Sequence, residues 1–157
     1  MTDGEHDVPG PLSAEVRALV ERSVLCWLAT VDADGQPRVS PKELFVPVDE
    51  SRLVLAHVAS PRSVANLAVQ PRACVSVLDV FVQKGFKLLG RGHVVRPGEA
   101  DFETVAQPLR GLVGDVFPLQ AVIVFEVDSV EPIVAPSYAF VPGTTEAAQV
   151  ASALRAY

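Results

Sequence analysis

A succession of short apolar strands, separated by tight turns and little helix, constrains this fold more than any other feature of the chain. Residues 24–31 form a nearly continuous apolar run, which suits a strand buried on both faces. Asp32-Ala33-Asp34-Gly35 follows and predicts a hairpin turn. The returning strand, residues 38–46, alternates. Arg38, Ser40, Lys42 and Leu44 share one face, and Val39, Pro41, Glu43 and Phe45 share the other. After a turn at 47–51, further strands are expected at 53–58, 73–81, 86–95 and 121–130. Gly85, Gly90 and Gly92 predict bulges or a sharp barrel bend around the strand at 86–95. Helices are expected from Ser13 to about Arg22, and from Ser60 to about Val69 with Pro71 behind it. Another runs from Pro97-Gly98 to about Leu112, interrupted at Pro108, and a last one from Thr144 or Thr145 to near Tyr157. The segment 132–143 reads as a loop. Five or six short strands with few helices predict a small barrel, mostly β with flanking helices, and not a parallel sheet.

A chain of 157 residues suits one domain. That domain is expected over 12–157, behind a loose tail over 1–11 that ends in Pro9-Gly10-Pro11. No apolar run reaches membrane-spanning length, and the acidic start lacks the basic and apolar parts of a signal peptide, so a cytoplasmic protein without a membrane partner is expected. The formal net charge of −6 argues against nucleic acid as a partner. Charge is unevenly spread, however. Between Arg38 and Arg91 eight basic residues stand against four acidic ones, so this span is +4 and the rest of the chain −10. A local positive zone on an acidic protein fits a small anionic ligand. Cys26 and Cys74 lie in apolar runs and read as buried thiols. His6, His57 and His93 have no metal-ligand spacing, so no metal is expected. There is no dinucleotide-type glycine loop, no Walker loop and no Ser/His/Asp or Cys/His arrangement, so no catalytic residue is assigned.

The most informative stretch is Ser60-Pro61-Arg62-Ser63-Val64-Ala65-Asn66-Leu67. Ser60 is a candidate helix cap, and Pro61 fits the first helical position, where a missing N–H costs nothing. Arg62 then sits in the first turn, where the helix dipole disfavours a cation. A bound phosphate resolves the conflict, because the free N–H groups, the dipole and the guanidinium would all act on one anion.

Three stretches carry a resemblance to a known family. They are Gly35-Gln36-Pro37-Arg38-Val39-Ser40-Pro41-Lys42, the Ser60–Leu67 stretch with Gln70-Pro71-Arg72 behind it, and Phe86-Lys87-Leu88-Leu89-Gly90. Together, over about residues 22–96, the chain resembles the pyridoxamine 5′-phosphate oxidase-like family of FMN-binding split barrels. The resemblance implies a six-stranded antiparallel split β-barrel that forms a homodimer with FMN at the subunit interface. It implies that Ser40, Pro41 and Lys42 run beside the flavin ring and that Ala56 and His57 lie near the ribityl chain and ring. Arg62 and Ser63 would hold the phosphate. Asn66 would offer an amide to the flavin, as would Gln83 or Lys84 from the following turn. Apart from the resemblance, Lys87 and Arg91 alternate onto one face of the strand at 86–95, where they either complete the anion pocket or face water.

Two departures bear on function. Ser63 stands where the family has a second phosphate cation, so a hydroxyl replaces a charge. The C-terminal tryptophan and arginine motif of the true oxidases is missing, since the only Trp is Trp27. The resemblance therefore implies an FMN-dependent oxidoreductase acting on a small molecule or a nicotinamide donor, and not on pyridoxamine 5′-phosphate. The alternatives are a flavin-binding carrier, sensor or stress module without turnover, and the same fold with a deazaflavin or haem. Haem is disfavoured by the lack of a well-placed ligand.

Overall fold

The computed structural model describes residues 10–113 and 118–156; residues 1–9 of the expected tail lie outside the described residues. α1 (Ala14–Arg22) is followed by β1 (Cys26–Val31), β2 (Pro37–Lys42), β3 (Phe45–Pro47), β4 (Arg52–His57) and α2 (Pro61–Val69). Then come β5 (Arg72–Asp79), β6 (Lys84–Val95), α3 (Phe102–Val113), β7 (Ala121–Val134), α4 (Ser137–Phe140) and α5 (Glu146–Ala156). The strands form one antiparallel sheet in the order β2-β1-β5-β6-β7-β4-β3.

The sheet has seven strands and not six, because the strand expected over 38–46 is two strands. β2 pairs with β1, whereas β3 pairs with β4 at the other edge of the sheet. Only Glu43 and Leu44 separate them. The three steps from Lys42 to Phe45 span at most about 11 Å of extended chain, so the two sheet edges must approach each other at this point. That link curls the sheet into a split barrel. Both edge strands carry prolines, Pro37 and Pro41 in β2 and Pro47 in β3, which removes donors that a foreign strand would need.

Turn chemistry explains the β1–β2 hairpin. Asp32 Oδ1 accepts the N–H groups of Asp34 (3.0 Å) and Gln36 (2.9 Å), and Gly35 supplies a φ of 83°. β6 and β7 shift register between Leu89 and Gly90, where β7 carries the extra residue Asp128. A side chain at Gly90 would strike the Glu126 carbonyl, so the bulge requires glycine there. β7 runs on through Pro132 to Val134, where a loop was expected. β4 covers only Ala121–Glu126 of it, so the far half has an open side where the missing proline donor is harmless. α3 starts at Phe102, later than expected, and continues through Pro108.

The barrel interior is filled by Leu28, Leu53, Leu55, Val75, Val77, Leu88, Ile123 and Phe125, together with Val16, Leu19 and Val20 of α1. Ser13 caps α1 by accepting from the Val16 N–H at 3.3 Å. The alternate residues of β4 and β7, among them Val54, Ala56, Val122 and Val124, face outward and pack against Phe102, Ala106 and Leu109 of α3. β4 is thus buried on both sides, and its last residue, His57, lies buried where the chain turns towards α2. The outer faces of β1, β2 and β5 are not covered. Trp27, Val39 and Leu78 are exposed there, with Trp27 at 46%.

Candidate functional site

A groove lies between edge strand β2 and the turn from β4 into α2. It consists of two adjoining hollows of about 220 Å³ and about 370 Å³ that share Ala59 and Ser60. Pro41, Lys42 and Ala56 line the first, and Arg38, Ser40, Arg62 and Ser63 line the second. The hydroxyls of Ser40 and Ser60 lie 3.2 Å apart, joining the two walls. Period-two alternation in β2 aims Arg38, Ser40 and Lys42 at the same side.

All five buried polar or charged side chains among the described residues stand on the three elements that wall this groove or on β1 beside them: Thr30, Lys42, His57, Ser63 and Asn66. Asn66 donates from Nδ2 to Thr30 Oγ1 at 2.9 Å, tying α2 to β1. The Ser60 N–H donates to His57 Nδ1 at 3.3 Å. Lys42 and Ser63 have no side-chain partner among the described residues. Among the described residues no fully enclosed side-chain polar atom is unpartnered, so the Lys42 ammonium and the Ser63 hydroxyl keep some exposure, and the two residues line the first and second hollows.

Burial pushes Lys42 below the ordinary lysine value of 10.5. Cys26, opposite it on β1, is pushed up to about 12 by burial, with the Lys42 charge acting the other way. His57 is lowered from 6.5, first by burial and then by the charges of Lys42 and Arg96. The site is therefore a concave, partly dry surface on which Lys42, Arg62 and Arg38 bring positive charge, Arg38 being paired with Asp32 at 3.6 Å and Glu43 lining the first hollow next to Lys42.

The start of α2 departs from expectation in one respect. Ser60 precedes the helix, but its side chain makes no cap bond. Its hydroxyl is turned to Ser40 across the groove, so the first N–H groups of α2 lack a side-chain acceptor. The first turn has no acidic residue, and Pro61 and Arg62 begin the helix as the sequence predicts.

Of the residues predicted for the site, the fold brings together Ser40, Pro41, Lys42, Ala56, Arg62 and Ser63, with His57 bonded to Ser60 at the groove's turn. The amide nitrogen of Asn66 is engaged inside the fold. Gln83, Lys84 and Lys87 do not line the groove of the same chain. Gln83 accepts from Gln149 at 2.8 Å, Lys84 pairs with Glu146 at 2.9 Å, and Lys87 pairs with Glu131 at 2.5 Å. The β5–β6 turn presents the first two to the C-terminal helices instead. Arg38 was not assigned to the site, although it shares a face with Ser40 and Lys42 and the alternation marks it. Arg96 acts on His57 from beyond the end of β6, and no local pattern in the sequence signals that.

The lining combines cationic and hydroxyl groups with the apolar surfaces of Pro41, Leu44, Ala56 and Val58. The open hydroxyl, the guanidinium and the unsatisfied helix start would take a phosphate, and the buried unpaired ammonium would take the negative end of a ring. The fold is an antiparallel split barrel with this groove at its seam. The model of the pyridoxamine 5′-phosphate oxidase family matches residues 12–133, and the chain belongs to that family. Solved structures share the fold. HupZ of Group A Streptococcus aligns with a TM-score of 0.65 at 20% identity, over 75% of this chain and 90% of that one. An FMN-binding protein from Syntrophomonas wolfei subsp. wolfei aligns with a TM-score of 0.65 at 17% identity, over 76% and 84%. An F420 reductase aligns with a TM-score of 0.59 at 20% identity, over 76% and 98%. No curated protein sequence matches the chain. No described helix is long and apolar enough to cross a membrane.

Proposed function

We propose that the protein binds FMN in the β2–α2 groove and works as an FMN-dependent oxidoreductase on a small molecule or a nicotinamide donor. The single observation that carries this reading is the buried, unpaired Lys42 ammonium opening on a groove whose far wall is an uncapped helix start with Arg62 and Ser63. Arg62 and Ser63 bind the phosphate. Ser40, Pro41 and Ala56 give the ring a wall. Lys42 supplies a fixed positive charge that favours negative charge accumulating on the ring. The bound flavin supplies hydride or electron exchange, so the chain needs no triad of its own. Neighbours of the same fold that are described as an FMN-binding protein and as an F420 reductase support a flavin-type ligand.

The same reading includes a homodimer. Trp27, Val39 and Leu78 form an exposed apolar face, while the prolines of β2 and β3 oppose pairing through the edges, so two copies would meet face to face. Trp27→Glu should then yield a monomer by sedimentation.

The test of the main proposal is direct. Purified protein should carry flavin released by heat as FMN, or gain thermal stability and quench FMN fluorescence on titration. Consumption of NADH or NADPH by the loaded protein distinguishes an enzyme from a carrier. A colourless protein whose unfolding midpoint ignores FMN would overturn the reading.

A further inference from the structure

We propose that His57 is a positioning residue of the groove: its neutral imidazole holds the Ser60 amide through Nδ1, fixes the turn that carries Arg62 and Ser63, and releases that turn at acid pH. The inference rests on the phosphate site proposed above.

Ser60 occupies the cap position of α2 without capping it. Its hydroxyl goes to Ser40, and its own N–H donates to His57 Nδ1 at 3.3 Å. An imidazole that accepts at Nδ1 carries its proton on Nε2. Protonation makes both nitrogens donors, so the Ser60 N–H would face another N–H and the turn would have to move. The ring is buried, at 8% exposure, so water cannot readily replace the lost bond. The charged groups acting on it are Lys42 from β2 and Arg96 beyond β6, both cations. Its partner on β7, Ala121, and the neighbouring Gln120 are uncharged. Burial and these two cations both disfavour the charged ring, and Glu43, which lines the adjoining hollow, is not among the groups that shift it. Because Ser60 also touches Ser40, displacement of the turn reaches both walls of the groove.

A phosphate monoester loses its second proton near pH 6, in the same window, so the ligand alone produces some pH dependence. His57→Asn separates the two effects, since its Oδ1 can accept the Ser60 N–H and does not titrate. FMN dissociation constants would be measured from pH 8 to pH 5 by fluorescence quenching for the wild type, His57→Asn and His57→Ala. The wild type should lose affinity about tenfold more than His57→Asn between pH 7 and pH 5, as one-proton linkage allows. His57→Ala should bind more weakly at every pH, with the same shape as His57→Asn. Superimposable wild-type and His57→Asn profiles, or His57→Ala binding as tightly as the wild type, would overturn the proposal.

Unfolding midpoints of the cofactor-free proteins give an independent readout. The folded-state value of His57 lies below its unfolded 6.5. Its contribution is therefore complete above pH 6.5 and is lost as pH falls, because the unfolded chain then takes up the proton more readily. The wild-type midpoint should fall faster with acid than that of His57→Asn. Diverging midpoints without any FMN binding would sink the FMN reading and uphold the role of His57; FMN binding with coincident midpoints and affinities would do the reverse.

Discussion

Two regions of the molecule present lysines to a hollow, and they treat them in opposite ways. Between α1, the β5–β6 turn and the C-terminal helices, Lys84 pairs with Glu146 at 2.9 Å and lies over the Tyr138 ring at 4.3 Å. Tyr138 donates its hydroxyl to the Val82 carbonyl at 2.7 Å, and Gln149 closes on Gln83 and Ser137. Lys84, Tyr138, Gln83 and Gln149 each have a partner there, and the Lys84 side chain stays 39% exposed. In the β2–α2 groove Lys42 is buried and has no partner among the described residues. The chain holds 19 acidic residues against 13 basic ones, so a shortage of carboxylates does not explain this. A buried, unpaired cation opposes folding, because desolvation is not offset by an ion pair. On the reading proposed above, an anion outside the chain completes the pairing at the groove. On that reading, the distribution of partners, more than the distribution of charge, separates the proposed ligand site from a structural clasp.

The largest expected effect that tests this contrast is on the ligand. Arg62→Ala removes an exposed guanidinium that makes no ion pair among the described residues. FMN affinity should fall by about 1–3 kcal/mol, the range for charge-assisted hydrogen bonds, while the unfolding midpoint of the cofactor-free protein stays put. Unchanged affinity in a calorimetric titration would remove the phosphate from this helix start.

Lys42→Met should divide binding from stability. FMN should bind less well, yet the cofactor-free protein should become more stable by about 1 kcal/mol, since an apolar side chain replaces a desolvated charge. The pH dependence follows from the lowered folded-state value of Lys42. Between that value and 10.5 the unfolded chain binds more protons, so wild-type stability rises with pH there. Denaturant titrations on Lys42→Met should lack that rise. A destabilised Lys42→Met would mean that the ammonium has an internal role after all.

These residues also mark how far the sequence could be read. The strand series, the Asp32–Gly35 turn and the Ser60-Pro61-Arg62 helix start are local patterns, and each sits within one short window where alternation or cap chemistry speaks. The break after Lys42 is not local. Residues 38–46 alternate without interruption, and only the pairing of β2 with β1 and of β3 with β4 reveals the bend. Arg62 is legible as a cation of unusual placement, whereas Lys42 enters by resemblance and its burial depends on strands far away in sequence. Gln83 and Lys84 were drawn to the site by resemblance alone, and the contacts that engage them come from Glu146 and Gln149. Ser60 shows the subtlest limit: its type and position were right for a cap, yet Ser40 on another strand competes for the hydroxyl.

The smallest effect belongs to the clasp. The Lys84 ammonium is held above its usual value by the hydrogen bond to Glu146, but the pair is exposed and therefore weak and screened by salt. Its sign follows the usual order for a raised lysine: the contribution is complete below 10.5 and is lost as pH climbs through the folded-state value. Lys84→Ala should leave the unfolding midpoint near the wild type at neutral pH, with any difference vanishing in high salt. It should also leave FMN affinity within about twofold, as expected for a removed surface pair. A loss as large as that of Arg62→Ala would break the contrast. Lys84 would then reach a ligand despite its carboxylate partner, and since it does not line the groove of its own chain, the groove it reached would be that of a second copy. Repeating the titration on Trp27→Glu, which is designed to be monomeric, would decide that point, because in a monomer the effect of Lys84→Ala should disappear.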